Sequence, residues 1–199
     1  MILHGIFPTP VAKFDLGREF TDREIQFMLN QKQYSNEGNT TSDDNYVFNS
    51  PELKDLSDFC DAAVAEYLKQ IHSPSKDVKL RITQSWLNYT KPGQYHHKHA
   101  HPNSFVSGCL YIKANRESDR IYFYRDGYKQ ISLPTENWNL YNSESWWFEA
   151  AAKELILFPS SLTHMVQPVK GEDTRISLSF NTFPVGYVGD ERNLTGLHV

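Results

Sequence analysis

Near residue 78 the hydrophobic pattern changes period, and that change constrains the fold more than any other feature. Before it, Leu53, Leu56, Cys60, Ala63, Val64, Tyr67 and Ile71 recur at steps of three and four. They form one apolar stripe on a helix opened by Ser50-Pro51 and closed by Ser73-Pro74. After it, Leu80, Ile82, Gln84, Trp86 and Asn88 alternate with Arg81, Thr83, Ser85, Leu87 and Tyr89, the period of a strand. Further strands are expected at 105–112, 121–124, 145–149, 155–158, 164–169 and 175–181. Turn signals separate them: Lys91-Pro92-Gly93, Arg125-Asp126-Gly127, Pro159-Ser160-Ser161 and Lys170-Gly171-Glu172-Asp173. Upstream, Thr21-Asp22-Arg23-Glu24 reads as a capping box for a first helix ending between 30 and 34, and 35–45 reads as a polar loop. Two helices followed by seven or eight short strands predict a mostly β sandwich or barrel with helices over one outer face.

With 199 residues, the chain is expected to form one domain. Within it, 1–77 is a helical support, 78–185 the β core and 186–199 a tail. Two cysteines, Cys60 and Cys109, make neither a disulfide framework nor a zinc ribbon and favour a reducing, cytoplasmic setting. No run of 18 apolar residues predicts a membrane span, and residues 1–14 lack the apolar core of a secretory signal. The net charge of −4 argues against a surface that tracks nucleic-acid phosphates.

Four of the eight histidines lie between positions 96 and 101, in Tyr95-His96-His97-Lys98-His99-Ala100-His101-Pro102. On a regular strand, side chains at i and i+2 share a face about 6.5–7 Å apart. His97, His99 and His101 then point one way, and His96 and Lys98 the other. Two imidazoles at that spacing can converge on one metal ion, whereas three on a straight strand cannot. His99 belongs to both possible pairs, and spacing alone leaves His97 and His101 open as its partner. His164 is the sole histidine between positions 102 and 197 and starts a later strand, where it can supply a ligand from a second strand. In Arg175-Ile176-Ser177-Leu178-Ser179-Phe180-Asn181, the apolar residues share one face and Arg175, Ser177, Ser179 and Asn181 the other. If the polar face lines an interior, the guanidinium there needs an anionic partner, and arginine can hold a carboxylate through two parallel bonds.

These residues together resemble the ferrous iron and 2-oxoglutarate dependent oxygenases, in a prolyl-hydroxylase-like branch found in marine bacteria and phages. The resemblance rests on Trp86-Leu87-Asn88-Tyr89, Pro92-Gly93, His99-Ala100-His101-Pro102-Asn103-Ser104, Ser107-Gly108-Cys109-Leu110-Tyr111-Ile112, Leu157-Phe158-Pro159-Ser160, His164 and the Arg175–Asn181 run. It covers about residues 80 to 185. It implies a double-stranded β-helix, the distorted jelly roll also seen in cupins. It implies Fe(II) on His99, His101 and His164, with His97 in reserve. It implies 2-oxoglutarate held by Arg175 with Ser177, Tyr111 and Asn88, and O2 as the second cosubstrate. The implied reaction is hydroxylation of another substrate, a peptide or protein side chain being one candidate, with decarboxylation of 2-oxoglutarate to succinate. Most of that superfamily has His-x-Asp or His-x-Glu where this chain has His99-x-His101. No Asp or Glu other than Asp77 lies between Glu66 and Glu117, so a shifted register supplies no carboxylate. The alternatives are a three-histidine dioxygenase that uses no oxoacid, and a non-catalytic jelly-roll module.

Nine aromatic residues fall within 121–148. Tyr128, Trp138 and Tyr141 sit in its polar stretch, and they are expected to form a substrate-binding lid beside the metal.

Overall fold

The computed structural model describes residues 1–75, 77–127, 131 and 133–199. Strand β1 (Ala12–Asp15) leads to helix α1 (Asp22–Leu29). The helix starts where the sequence places its cap: the Thr21 hydroxyl accepts from the Glu24 N–H at 3.2 Å, and the Glu24 carboxylate accepts from the Thr21 N–H at 2.7 Å. The expected loop at 35–45 is instead mostly a hairpin, β2 (Gln33–Ser35) and β3 (Thr40–Ser42). Its polarity is deceptive. Thr41 Oγ1 donates to Leu87 O at 2.9 Å and Ser42 Oγ accepts from Leu87 N at 3.0 Å, so hydroxyls satisfy the backbone of the neighbouring strand.

Helix α2 (Lys54–Tyr67) follows a 3-10 turn at Pro51–Leu53 and runs into a π turn at Leu68–His72. The predicted stripe is buried from Leu53 to Tyr67; Ile71, past the end of the α-helix, is exposed. Then come β4 (Val78–Thr90), β5 (His96–His99), β6 (Val106–Lys113), β7 (Arg120–Tyr124), β8 (Ser145–Glu149), β9 (Glu154–Pro159), β10 (His164–Val166), β11 (Arg175–Val188) and β12 (Leu197–His198). The strand expected at 164–169 is shorter, the one expected at 175–181 runs on to Val188, and β1 carried no sequence signal.

The strands form two antiparallel sheets. The major sheet has the order β1-β9-β6-β11-β4-β3-β2, with β12 also on β11, and the minor one β5-β10-β7-β8. From β4 to β11 the chain crosses between sheets at nearly every step. One face of the major sheet is dry: Leu87, Tyr89, Leu110, Leu155, Leu157, Ile176 and Leu178 pack with Met28, Leu56, Cys60 and Val64 of the helices. Its other face meets the minor sheet through Tyr111, Ile156 and Phe158 against Ile121, Phe123 and Val166. No described helix is long and apolar enough to cross a membrane.

β4 corrects the simple alternation. Phe180 pairs with Ser85 but Thr182 pairs with Ile82, so β4 carries one extra residue between those pairs. A bulge of this kind exchanges the two faces of a strand. Leu80 and Ile82 therefore pack on the same dry core as Leu87 and Tyr89, while Trp86 and Asn88 turn to the inter-sheet space.

Candidate active site

The inter-sheet space holds a partly open cavity. Its walls come from β4, β6 and β11 on one side and β5, β7 and β10 on the other.

His99 and His164 lie directly opposite each other on β5 and β10, with ring centroids 4.4 Å apart. His101 lies just beyond β5. Its N–H donates to Ser160 O at 2.9 Å, which folds the chain back so that its ring comes 4.8 Å from His99 and 5.1 Å from His164. That bend is what a straight His-x-His strand lacks. In the sequence Ser160 stands out only as a turn residue and as the end of the Leu157–Ser160 motif. Its buried hydroxyl shares hydrogen bonds with Ser104 at 2.7 Å and Ser107 at 2.8 Å, which ties the bend to β6. One ring nitrogen from each of His99, His101 and His164 lies within 4.8 Å of the others.

Their hydrogen bonds set the tautomers. His99 Nδ1 lies 2.8 Å from His97 O and His164 Nδ1 lies 3.0 Å from Leu162 O. A carbonyl only accepts, so both Nδ1 atoms carry the proton and both Nε2 atoms keep a lone pair for a metal. Burial, with further lowering by the neighbouring histidines, holds His101 down to about 4 and His164, packed against Phe123 and Phe158, down to about 3. These imidazoles are neutral at neutral pH, the form that binds metals.

His96 departs from expectation. The β5–β10 pairing matches His99 with His164 but His96 with Val166, three residues against two. The bulge turns the His96 ring toward its neighbours, 4.7 Å from His99 and 5.3 Å from His97, and it lines the cavity instead of pointing away. His97, the reserve ligand, is not in the inner group; with His96 and His99 it forms a second one.

Arg175 also lines the cavity; it is buried, and the anion it needs is Asp119, at 3.0 Å from Nη1. Asp119 also accepts from the Asn115 N–H at 2.8 Å. It lies just before β7 and carries no pattern that would announce it. The second guanidinium nitrogen, Arg175 Nη2, has no hydrogen-bond partner among the described residues; neither do Tyr111 Oη and Asn88 Oδ1. All three side chains line the cavity that holds the histidines. Burial pushes the Tyr111 phenol well up, so it remains a hydroxyl donor. Asn88 Nδ2 donates to Ser179 Oγ at 3.1 Å. Ser177 lines the same wall. Unpartnered buried donors cost stability unless something answers them, and a pair of such donors suits a carboxylate.

The expected substrate residues are not brought to this cavity. Trp138 and Tyr141 are exposed and do not line it, and Tyr128 lies outside the described residues. Arg125 holds the Tyr141 segment through the carbonyls of Tyr141 at 3.2 Å and Leu140 at 3.0 Å.

Residues 84–181 match a family described as "Putative 2OG-Fe(II) oxygenase". No curated protein matches the sequence. Among solved structures, a prolyl hydroxylase from Trichoplax adhaerens, in complex with a peptide fragment of the hypoxia inducible factor oxygen degradation domain, is similar at a TM-score of 0.59 and 16% identity. That match covers 94% of this chain and 87% of the other. HygX from Streptomyces hygroscopicus, with nickel, 2-oxoglutarate and hygromycin B bound, matches at 0.58 and 11% identity over 87% and 82%. A prolyl-4-hydroxylase from Pseudomonas putida matches at 0.54 and 13% identity over 87% and 92%. These likenesses establish a shared fold.

Proposed function

We propose that this chain, whose residues 84–181 match the 2OG-Fe(II) oxygenase family, is an iron- and 2-oxoglutarate-dependent oxygenase in which His99, His101 and His164 hold the iron and Arg175 anchors the cosubstrate. The alternation of the chain between the two sheets supports reading them as a double-stranded β-helix. The shared dry core of helices and major sheet supports one domain.

One observation carries the assignment of residues. Three neutral imidazoles, two of them with Nε2 left free by their Nδ1–H bonds, and two unpartnered donors, Arg175 Nη2 and Tyr111 Oη, line one cavity. Bound iron would supply the redox chemistry that activates O2. The chain supplies the rest. The Nδ1–H bonds to His97 O and Leu162 O fix the rings of two ligands. Phe158 and Phe123 keep water from the back of His164. Asp119 holds the Arg175 guanidinium so that Nη2 is left to a carboxylate of 2-oxoglutarate, with the Tyr111 hydroxyl as a second donor and Ser177 and Asn88 on the adjoining wall. The cytoplasm suits ferrous iron and the two free thiols.

For the primary substrate we favour a peptide side chain, because two of the structural neighbours are prolyl hydroxylases and one is seen with a peptide. Trp138, Tyr141 and the polar stretch around them are the candidate contact for it. Deleting residues 127–142 is then expected to impair turnover of the primary substrate more than 2-oxoglutarate binding; equal loss of both counts against the lid.

The deciding experiment is an anaerobic titration of the metal-free chain with Fe(II), with and without 2-oxoglutarate. A weak visible charge-transfer band should appear when both are present and be lost in His164→Ala and Arg175→Ala. Iron binding without any band, unchanged by Arg175→Ala, would instead favour a three-histidine dioxygenase that uses no oxoacid.

A further inference from the structure

The histidine segment has more donors than the proposed iron site uses. His96, His97 and His99 also offer one ring nitrogen each, all within 4.8 Å of one another, and their rings lie 4.6–5.3 Å apart. The grouping is built by the fold. The bulge opposite Val166 brings His96 round to its neighbours, and His97 Nδ1 reaches the Glu37 carbonyl at 3.4 Å, which turns its Nε2 away from that contact. All three rings are half-buried, so an ion there remains reachable from solvent.

We infer that His96, His97 and His99 form a second, outer metal position for a late first-row divalent cation such as Zn²⁺, and that it competes with the inner set for His99. Three imidazoles with room for water suit zinc, cobalt or nickel. The competition follows from one atom. His99 Nδ1 is committed to the His97 carbonyl at 2.8 Å, so only Nε2 is free, and it can serve one ion at a time. An ion in the outer position withdraws His99 from His101 and His164. Excess zinc would then inhibit the enzyme without entering the inner site. The outer site itself stands on its own geometry, whereas the inhibitory consequence rests on the iron site proposed above.

The test is calorimetric titration of the metal-free full chain with Zn²⁺. Wild type should saturate at one ion per chain. His101→Ala/His164→Ala should still bind one ion, and adding His97→Ala should weaken that binding by about 10-fold or more, the scale of losing a partner at a metal centre. If the alanine pair is unfolded by circular dichroism, His101→Gln/His164→Gln keeps bulk and polarity and carries the same expectation. Two ions bound together in wild type, or none in the folded pair variant, overturns the inference. The companion pair His96→Ala/His97→Ala separates the two sites. If it binds no ion while the His101/His164 pair variant binds one, the inner set fails and the outer position stands alone.

Discussion

The two faces of the major sheet are built from the same strands to opposite specifications. On β11, Ile176, Leu178 and Phe180 enter a dry core against the helices, while Arg175, Ser177 and Ser179 face the minor sheet. On β6, Val106, Leu110 and Ile112 do the first job and Ser107, Cys109 and Tyr111 the second. Both faces are largely removed from water, yet the second carries Asn88 Oδ1, Tyr111 Oη and Arg175 Nη2 without partners among the described residues. A sheet that needed only stability would fill both sides alike, because an unanswered buried donor costs about 1–3 kcal/mol. The contrast separates what holds the fold from what the fold is for.

The contrast can be broken most severely at His164. On the proposed site, His164→Ala should weaken Fe(II) binding by more than about 100-fold, beyond the loss expected from an outer partner, as read by equilibrium dialysis. Wild-type affinity would mean that the imidazoles on the wet face are ordinary packing. Asp119→Ala should come next, because it strands a buried guanidinium. Breaking such a pair costs about 3–5 kcal/mol, measurable by urea unfolding, and Asp119→Asn should cost less.

The dry face answers to different rules. A Cβ on Gly108 would lie 2.2 Å from Phe180 Cζ, so Gly108→Ala must displace that ring. A destabilisation of about 1–3 kcal/mol or more is expected, with partial rescue by Phe180→Leu. Metal affinity should change far less than stability. The gentlest perturbation is a pH slope. His101 and His164 have folded pKa values near 4 and 3, below the ordinary value of 6.5. Above pH 6.5 they are neutral in both states and contribute no slope. Below it the unfolded chain takes up protons that the folded chain refuses, so stability falls as pH drops from about 6.5 toward 4. The Tm of the metal-free protein should decline over that window, and His101→Gln/His164→Gln should flatten the decline.

Much of the dry face was legible in the sequence, because a repeating apolar pattern is redundant. The Leu53–Tyr67 stripe, the Thr21–Glu24 cap and the alternation of Arg175–Asn181 each survive an error at one position. The wet face was legible only where a residue type is chemically distinctive, as with His99, His101, His164 and Arg175. Asp119 was not, since an ion pair spanning 56 positions leaves no periodic trace. The bulges in β4 and β5 were not either: one inserted residue reverses a strand's faces without altering its composition. Reading β4 as a straight strand put Leu80 and Ile82 on the same face as Trp86 and Asn88, and reading β5 so sent His96 away from the rings it meets. The hairpin β2–β3 was missed because its Thr and Ser hydroxyls serve the backbone of β4 rather than solvent.

The Arg175–Asp119 pair has a consequence in overall charge. On the proposed site, a divalent ion on three neutral imidazoles would carry its full double charge, and the 2-oxoglutarate dianion would cancel it. Arg175 and Asp119 already cancel each other, so the filled cavity would sum to zero. With an acidic metal ligand in place of His101 and a lone arginine, the sum would be the same. Installing an aspartate at position 101 alone would leave one negative charge with nothing opposite it.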